Sequence, residues 1–202
     1  VTLTPPPCDA LIFDCDGTLA DTFSVHFSVI SQVLARRGID FEESWYAGHV
    51  ALSAAELLDA IHRHWNVRVE LGDFETARVP LYDRALEHVR EIAPVVAVAR
   101  FQYGKRPLAV ASGGPRAVVE RTLRNLGIYE LFDTVVTIDD VARGKPAPDL
   151  FELAAKRLRV DAGRCVVYED TDEGLLAARI AGMIPIDVRP ALVPRIARKT
   201  SR

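Results

Sequence analysis

The chain has 202 residues, 49% of them hydrophobic and 26% charged, enough to bury a substantial core but too few for two large domains. Its 25 Lys and Arg against 28 Asp and Glu give a formal charge of −3, which offers no field for gripping nucleic acid or an anionic membrane, so neither is an expected partner. Three cysteines, Cys8, Cys15 and Cys165, are too few and too scattered for a disulfide framework or a thiolate zinc site, which suits a reducing compartment.

In chain order, the opening VTLTPPPC lacks the charged start and apolar run of a secretion signal. Ala10-Leu11-Ile12-Phe13 is a short apolar run leading into Asp14 and a turn at Gly17, the pattern of a buried strand ending in a loop. From about Asp21 to about Glu91 apolar residues recur at helical spacing: Val29, Val33 and Leu34, then Leu57, Leu58 and Ile61, then Val79, Leu81, Leu86 and Val89. Gly38, Gly48 and Gly72 are expected to punctuate this helical insert as turns.

Strand character returns at Leu108-Ala109-Val110-Ala111, followed by Ser112-Gly113-Gly114-Pro115 and a helical stretch from Arg116 to Leu126. Thr134 to Thr137 is a third apolar run. Cys165 to Tyr168 is the fourth, leading into Glu169, Asp170 and a helix ending near Gly182, and Ile184 to Val188 is the fifth. The ending, RIARKTSR, reads as a solvated basic tail.

Short buried strands alternating with helices imply an α/β fold, a parallel Rossmann-like sheet with helices on both faces. A small all-helical insert is expected after the first strand, with boundaries at 1–20 and 92–202 for the α/β core and 21–91 for the insert. No run approaches the ~20 apolar residues of a bilayer span, and no heptad seam is visible. A soluble, cytoplasmic monomer is expected.

In such sheets the ligand crevice lies beyond the carboxyl ends of the strands, where Asp14, Ser112 and Asp170 all fall. Asp14 and Asp16 stand two residues apart at one strand end, and Gly17 permits the bend that turns both toward one site. Close carboxylates repel and are usually held by a cation. A hard divalent ion with oxygen ligands, most simply Mg²⁺, fits that need.

The run Asp14-Cys-Asp-Gly-Thr-Leu-Ala-Asp-Thr22 closely resembles the first motif of the haloacid-dehalogenase superfamily of phosphotransferases. Ser112 looks like that family's phosphate-holding hydroxyl, Lys145 in Gly144-Lys-Pro-Ala-Pro-Asp149 like its lysine, and Glu169-Asp170 like its acidic metal motif. The resemblance implies Asp14 as nucleophile and Asp16 as general acid and base. Asp14, Asp16 through its backbone carbonyl, and Asp170 would bind Mg²⁺, with Glu169 a direct ligand or an acceptor ordering bound water. Thr18, Ser112, the Gly113 amide and Lys145 would hold phosphate oxygens.

Within that superfamily the phosphonate-cleaving branch resembles the chain in layout but needs a cap lysine, and no lysine lies between Thr18 and Gly104. The dehalogenating branch lacks the second carboxylate, here present as Asp16. The chain resembles bacterial fructose-1-phosphate phosphatases, which themselves look like β-phosphoglucomutases, and its helical insert matches the superfamily's small cap. The expected reaction is Mg²⁺-dependent hydrolysis of a small phosphorylated sugar or polyol, with the insert closing over the sugar. A β-phosphoglucomutase-type phosphomutase and a catalytically silent ligand-binding module are the alternatives. His26 and His49 in the insert, and Arg116 after the Ser112 loop, are the candidate substrate contacts.

Overall fold

The computed structural model describes residues 3–49, 52 and 54–192. The basic RIARKTSR tail lies outside the described residues. The chain divides into two compact units, Val1–Asp21 with Arg90–Arg202, and Thr22–Val89.

The first unit is built on five strands, β1 (Ala10–Phe13), β2 (Leu108–Ala111), β3 (Thr134–Val136), β4 (Cys165–Glu169) and β5 (Ile184–Asp187). They form one parallel sheet in the order β3-β2-β1-β4-β5. Every residue of β1, β2 and β4 is buried, which explains why those strands read as continuous apolar runs without alternation. Register brings the strand ends level. Phe13 lies opposite both Val110 and Tyr168, and the Asp14 amide donates to the Tyr168 carbonyl at 3.0 Å. Asp14 and Glu169 therefore leave the sheet side by side, with Ser112 one residue past β2.

Two faces of β1 carry different packing. Ile12 joins Ala109, Ala111 and Val136 in a cluster closed by Leu150, Phe151 and Ala154 of α7 (Asp149–Leu158) and by Ala177 and Ala178 of α8 (Asp172–Ile180). Alanines on both strands and helices let backbones approach closely while large side chains fill the gaps. Phe13 instead stacks on Tyr168 at 4.8 Å and meets the edge of Phe132 at 5.9 Å. The buried Tyr168 hydroxyl donates to the Leu3 carbonyl at 2.7 Å, so its polar tip is satisfied. The same unit contains α5 (Ala93–Gln102) and α6 (Arg116–Asn125).

The second unit consists of α1 (Phe23–Ala35), α2 (Glu43–Ala47), α3 (Ala54–Trp65) and α4 (Leu71–Ala85). Val29, Val33, Leu34, Leu57, Leu58, Ile61, Leu81 and Leu86 are buried, in line with the helical spacing that singled them out. Two readings of this stretch are corrected. Gly72 is no turn but lies in the first turn of α4. Val79 is 53% exposed, because the buried side of α4 runs through Phe74, Leu81 and Tyr82, and Val79 stands well around the helix from Phe74.

Candidate active site

Asp14 is buried at the end of β1, and its Oδ1 accepts from Lys145 Nζ at 2.6 Å. The same ammonium donates to Glu169 Oε1 at 2.5 Å. Burial alone would push the Lys145 ammonium toward neutrality, but the two carboxylates beside it outweigh that and hold it charged, above its ordinary range. Burial raises the Asp14 carboxyl well above its usual value; the Lys145 charge opposes the rise, and Glu169 and Asp170 add to it.

Beyond Asp14 the backbone turns at Gly17, whose φ of +82° lies in the left-handed region. A Cβ there would fall 2.1 Å from Asp170 Oδ2, so glycine is required twice over, for the turn and for the approach of the carboxylate. The other Asp170 oxygen accepts from the Thr18 hydroxyl at 3.1 Å. Asp14, Glu169 and Asp170 each present a carboxylate oxygen, all within 4.8 Å of one another.

Lys145 balances one negative charge of the three, and the donor set is entirely hard oxygen. Those residues fit a hard divalent cation of the Mg²⁺ type. Of the expected ligands, Asp16 contributes no side-chain oxygen to the cluster. Its carboxylate lies on the Ser112 side: a Cβ on Gly114 would stand 3.6 Å from Asp16 Oδ2 and 3.4 Å from Ser112 Oγ. Ser112 is buried, and its Oγ accepts from the Gly114 amide at 3.0 Å, which leaves the hydroxyl proton free to be donated.

One expected phosphate contact, Thr18, and one expected substrate contact, Arg116, are placed differently. The Thr18 hydroxyl is spent on Asp170, so it holds that carboxylate instead of waiting for phosphate. The Arg116 guanidinium binds Glu120 at 3.0 Å and also bonds Asp140. Its amide donates to Asp139 at 2.8 Å. Two carboxylates already neutralise this side chain, which removes the reason to assign it to phosphate. His26 and His49 make contacts within their own helical unit. His26 Nε2 lies 3.2 Å from the Tyr82 hydroxyl. His49 stacks on Trp45 at 3.8 Å while its Nδ1 donates to the Trp45 carbonyl at 2.7 Å.

Other participants escaped the reading of side chains. Among the described residues the Asp16 amide, which the sequence reading did not name, donates no hydrogen bond within the protein, and neither does the Gly113 amide that it did name, which leaves two donors for an anion. Main-chain donors carry no residue-type signal. Thr171, which gives both its amide and hydroxyl to Glu169 Oε2 at 2.7 and 2.9 Å, was not singled out from the sequence.

A family model described as a haloacid dehalogenase-like hydrolase matches residues 8–182. The chain belongs to the haloacid dehalogenase-like hydrolases. It is 36% identical over 189 residues to the fructose-1-phosphate phosphatase YqaB of Escherichia coli (strain K12), covering 89% of this chain and 95% of that protein. A hydrolase of the family from Deinococcus radiodurans R1, solved with bound phosphate and sodium, superposes with a TM-score of 0.76 at 27% identity over 90% of this chain and 80% of the other. For a putative β-phosphoglucomutase from Thermotoga maritima the TM-score is 0.74 at 29% identity, over 87% and 82% of the two chains. No helix among the described residues is long and apolar enough to cross a membrane.

Burial and the charge of Glu169 push the Asp170 carboxyl up to about 6. A carboxyl raised on folding favours the folded state fully below its unfolded pKa of about 3.9, and that contribution is lost as pH rises through the folded value. In EDTA, Asp170→Asn is therefore expected to gain stability relative to the unsubstituted protein between pH 4.5 and 7.5, on the order of 2 kcal/mol. Added Mg²⁺ is expected to stabilise the unsubstituted protein at pH 7.5 and to reverse the difference. Urea unfolding at the two pH values measures it, and a pH-independent difference contradicts the assignment.

Proposed function

We propose that the protein is a Mg²⁺-dependent phosphatase that hydrolyses a small sugar or polyol monophosphate through an aspartyl-phosphate on Asp14. The observation that carries this reading is the placement of Asp14: a buried carboxylate at the end of the central strand, one oxygen on Lys145, within an acidic cluster that a single cation could neutralise. Asp14, Asp170 and Glu169 are the residues that would hold Mg²⁺, together with the Asp16 carbonyl. The ion supplies neutralising charge between a carboxylate and a phosphate dianion that otherwise repel.

The residues of the chain do the rest. Asp14 attacks phosphorus in line, forming the mixed anhydride as the P–O bond to the sugar breaks. Asp16 gives its proton to the departing sugar oxygen, then takes one from the water that opens the anhydride and releases phosphate. Ser112 Oγ and the Asp16 and Gly113 amides hold the non-bridging oxygens, and Lys145 adds positive charge.

Hydrolysis is favoured over mutase chemistry by the loop after Ser112. Gly113-Gly114-Pro115 offers no side-chain donor, and Arg116, next in line, is tied to Glu120 and Asp140. A mutase must hold a second phosphate group on its bisphosphorylated intermediate, and this loop has little to hold it with. The name of the Escherichia coli relative supports a phosphorylated sugar as the substrate class.

The test is release of inorganic phosphate from a panel of hexose, pentose and polyol phosphates in Mg²⁺ or EDTA. Metal-dependent release from at least one of them is expected. Conversion of β-glucose 1-phosphate to the 6-phosphate with little phosphate released would favour the mutase, and no turnover on any substrate would reject the reading.

A further inference from the structure

Glu169 has hydrogen bonds on both its oxygens. Oε1 takes Lys145 Nζ at 2.5 Å, and Oε2 takes the amide and hydroxyl of Thr171 at 2.7 and 2.9 Å. The Thr171 hydroxyl in turn accepts from the Gly174 amide at 3.1 Å and caps α8. The carboxylate is 1% exposed, and it lies against the first turn of that helix. A Cβ on Gly174 would fall 1.9 Å from Glu169 Oε1 and 2.1 Å from its Cδ. Glu169 thus occupies the volume that any other side chain at position 174 would take.

Glycine is the poorest helix former after proline, yet here it stands in the first turn of α8. We propose that Gly174 is a positioning residue: its missing side chain seats the Glu169 carboxylate on the first turn of α8, and Glu169 in turn fixes Lys145 beside Asp14. The proposal rests on the reading of Asp14 and Lys145 as groups that meet phosphate. Lysine is a point charge on a flexible four-carbon stem, so two carboxylates are needed to place it. Glu169 Oε1 is at once the atom that Lys145 binds and the atom a methyl group on residue 174 would strike. Displacing it frees the ammonium from one of its two anchors.

The experiment is a double-mutant cycle of Gly174→Ala and Glu169→Asp, read both as kcat for phosphate release and as the thermal unfolding midpoint in EDTA. Glu169→Asp withdraws the carboxylate by one methylene and vacates the contested space. Alone, Gly174→Ala is expected to lower kcat ~10-fold or more and to lower the midpoint, although helix propensity by itself would raise it. In the Glu169→Asp background the same alanine change is expected to cost less than ~3-fold, because the clash is gone.

Equal losses in both backgrounds, or an unaltered kcat and midpoint for Gly174→Ala, overturn the proposal. Should Gly174→Ala fail to fold, the double variant is expected to fold and melt cooperatively, and a double variant that also stays unfolded overturns it. If the unsubstituted protein releases no phosphate from any substrate, the proposed function fails, while the cycle of midpoints in EDTA still decides the role of Gly174.

Discussion

Asp14→Asn is expected to lower phosphate release by at least ~10⁴-fold while leaving the fold intact, because an amide of the same shape cannot attack phosphorus. The retained fold follows from the electrostatics of the position. Burial disfavours the charged form of Asp14, with Glu169 and Asp170 adding to that effect, so a neutral isostere removes a strain from the apoprotein. Lys145 keeps its bond to Glu169. Activity measured with Mg²⁺ beside the circular-dichroism melt in EDTA separates lost chemistry from lost structure. Turnover within tenfold of the unsubstituted protein would remove Asp14 as the nucleophile and the aspartyl-phosphate with it.

The second large effect is expected at Lys145. Its side chain is 11% exposed and joins Asp14 and Glu169, which are 8% and 1% exposed. Lys145→Met keeps the length of the side chain and deletes the charge, leaving two buried carboxylates without their cation. Breaking a buried pair in this way costs about 3–5 kcal/mol, mostly the penalty of stranding the partners. The stranded carboxylates will instead bind protons, so the loss of stability in EDTA should be larger at pH 8 than at pH 5. Activity should fall by ~10²-fold or more, since the positive group proposed to face the transferred phosphoryl is gone. Urea unfolding at the two pH values checks the first expectation. A pH-independent loss would mean that Lys145 acts through packing and not through its charge.

The strands were largely legible. All five apolar runs became strands within a residue of their expected ends; for β1, β2 and β4 the reason is burial on both faces, which favours apolar side chains in succession and is visible in the composition of a few residues. Asp14, Ser112 and Asp170 were legible for the same reason: each follows such a run, and a parallel sheet gathers the residues after its strands along one edge. Gly72 and Val79 were misread, since a glycine is tolerated inside a helix whose packing outweighs its propensity, and one valine in an approximate period does not say which side of α4 is buried.

Side-chain chemistry and the positions of the strands were within reach of the bare chain; strand order and partner choice were not. Thr18 and Arg116 have the right groups to hold phosphate, and only folding shows that Asp170 takes the first and Glu120 with Asp140 the second. Nor could spacing reveal that Glu169 lies in the space left by Gly174 while anchoring Lys145 from 24 residues away in the chain. Residue identity states what a group can donate or accept, and local pattern states where the backbone goes. Which of several competent partners it meets depends on distances of a few ångströms between segments far apart in the chain, and those are decided by how the whole core packs.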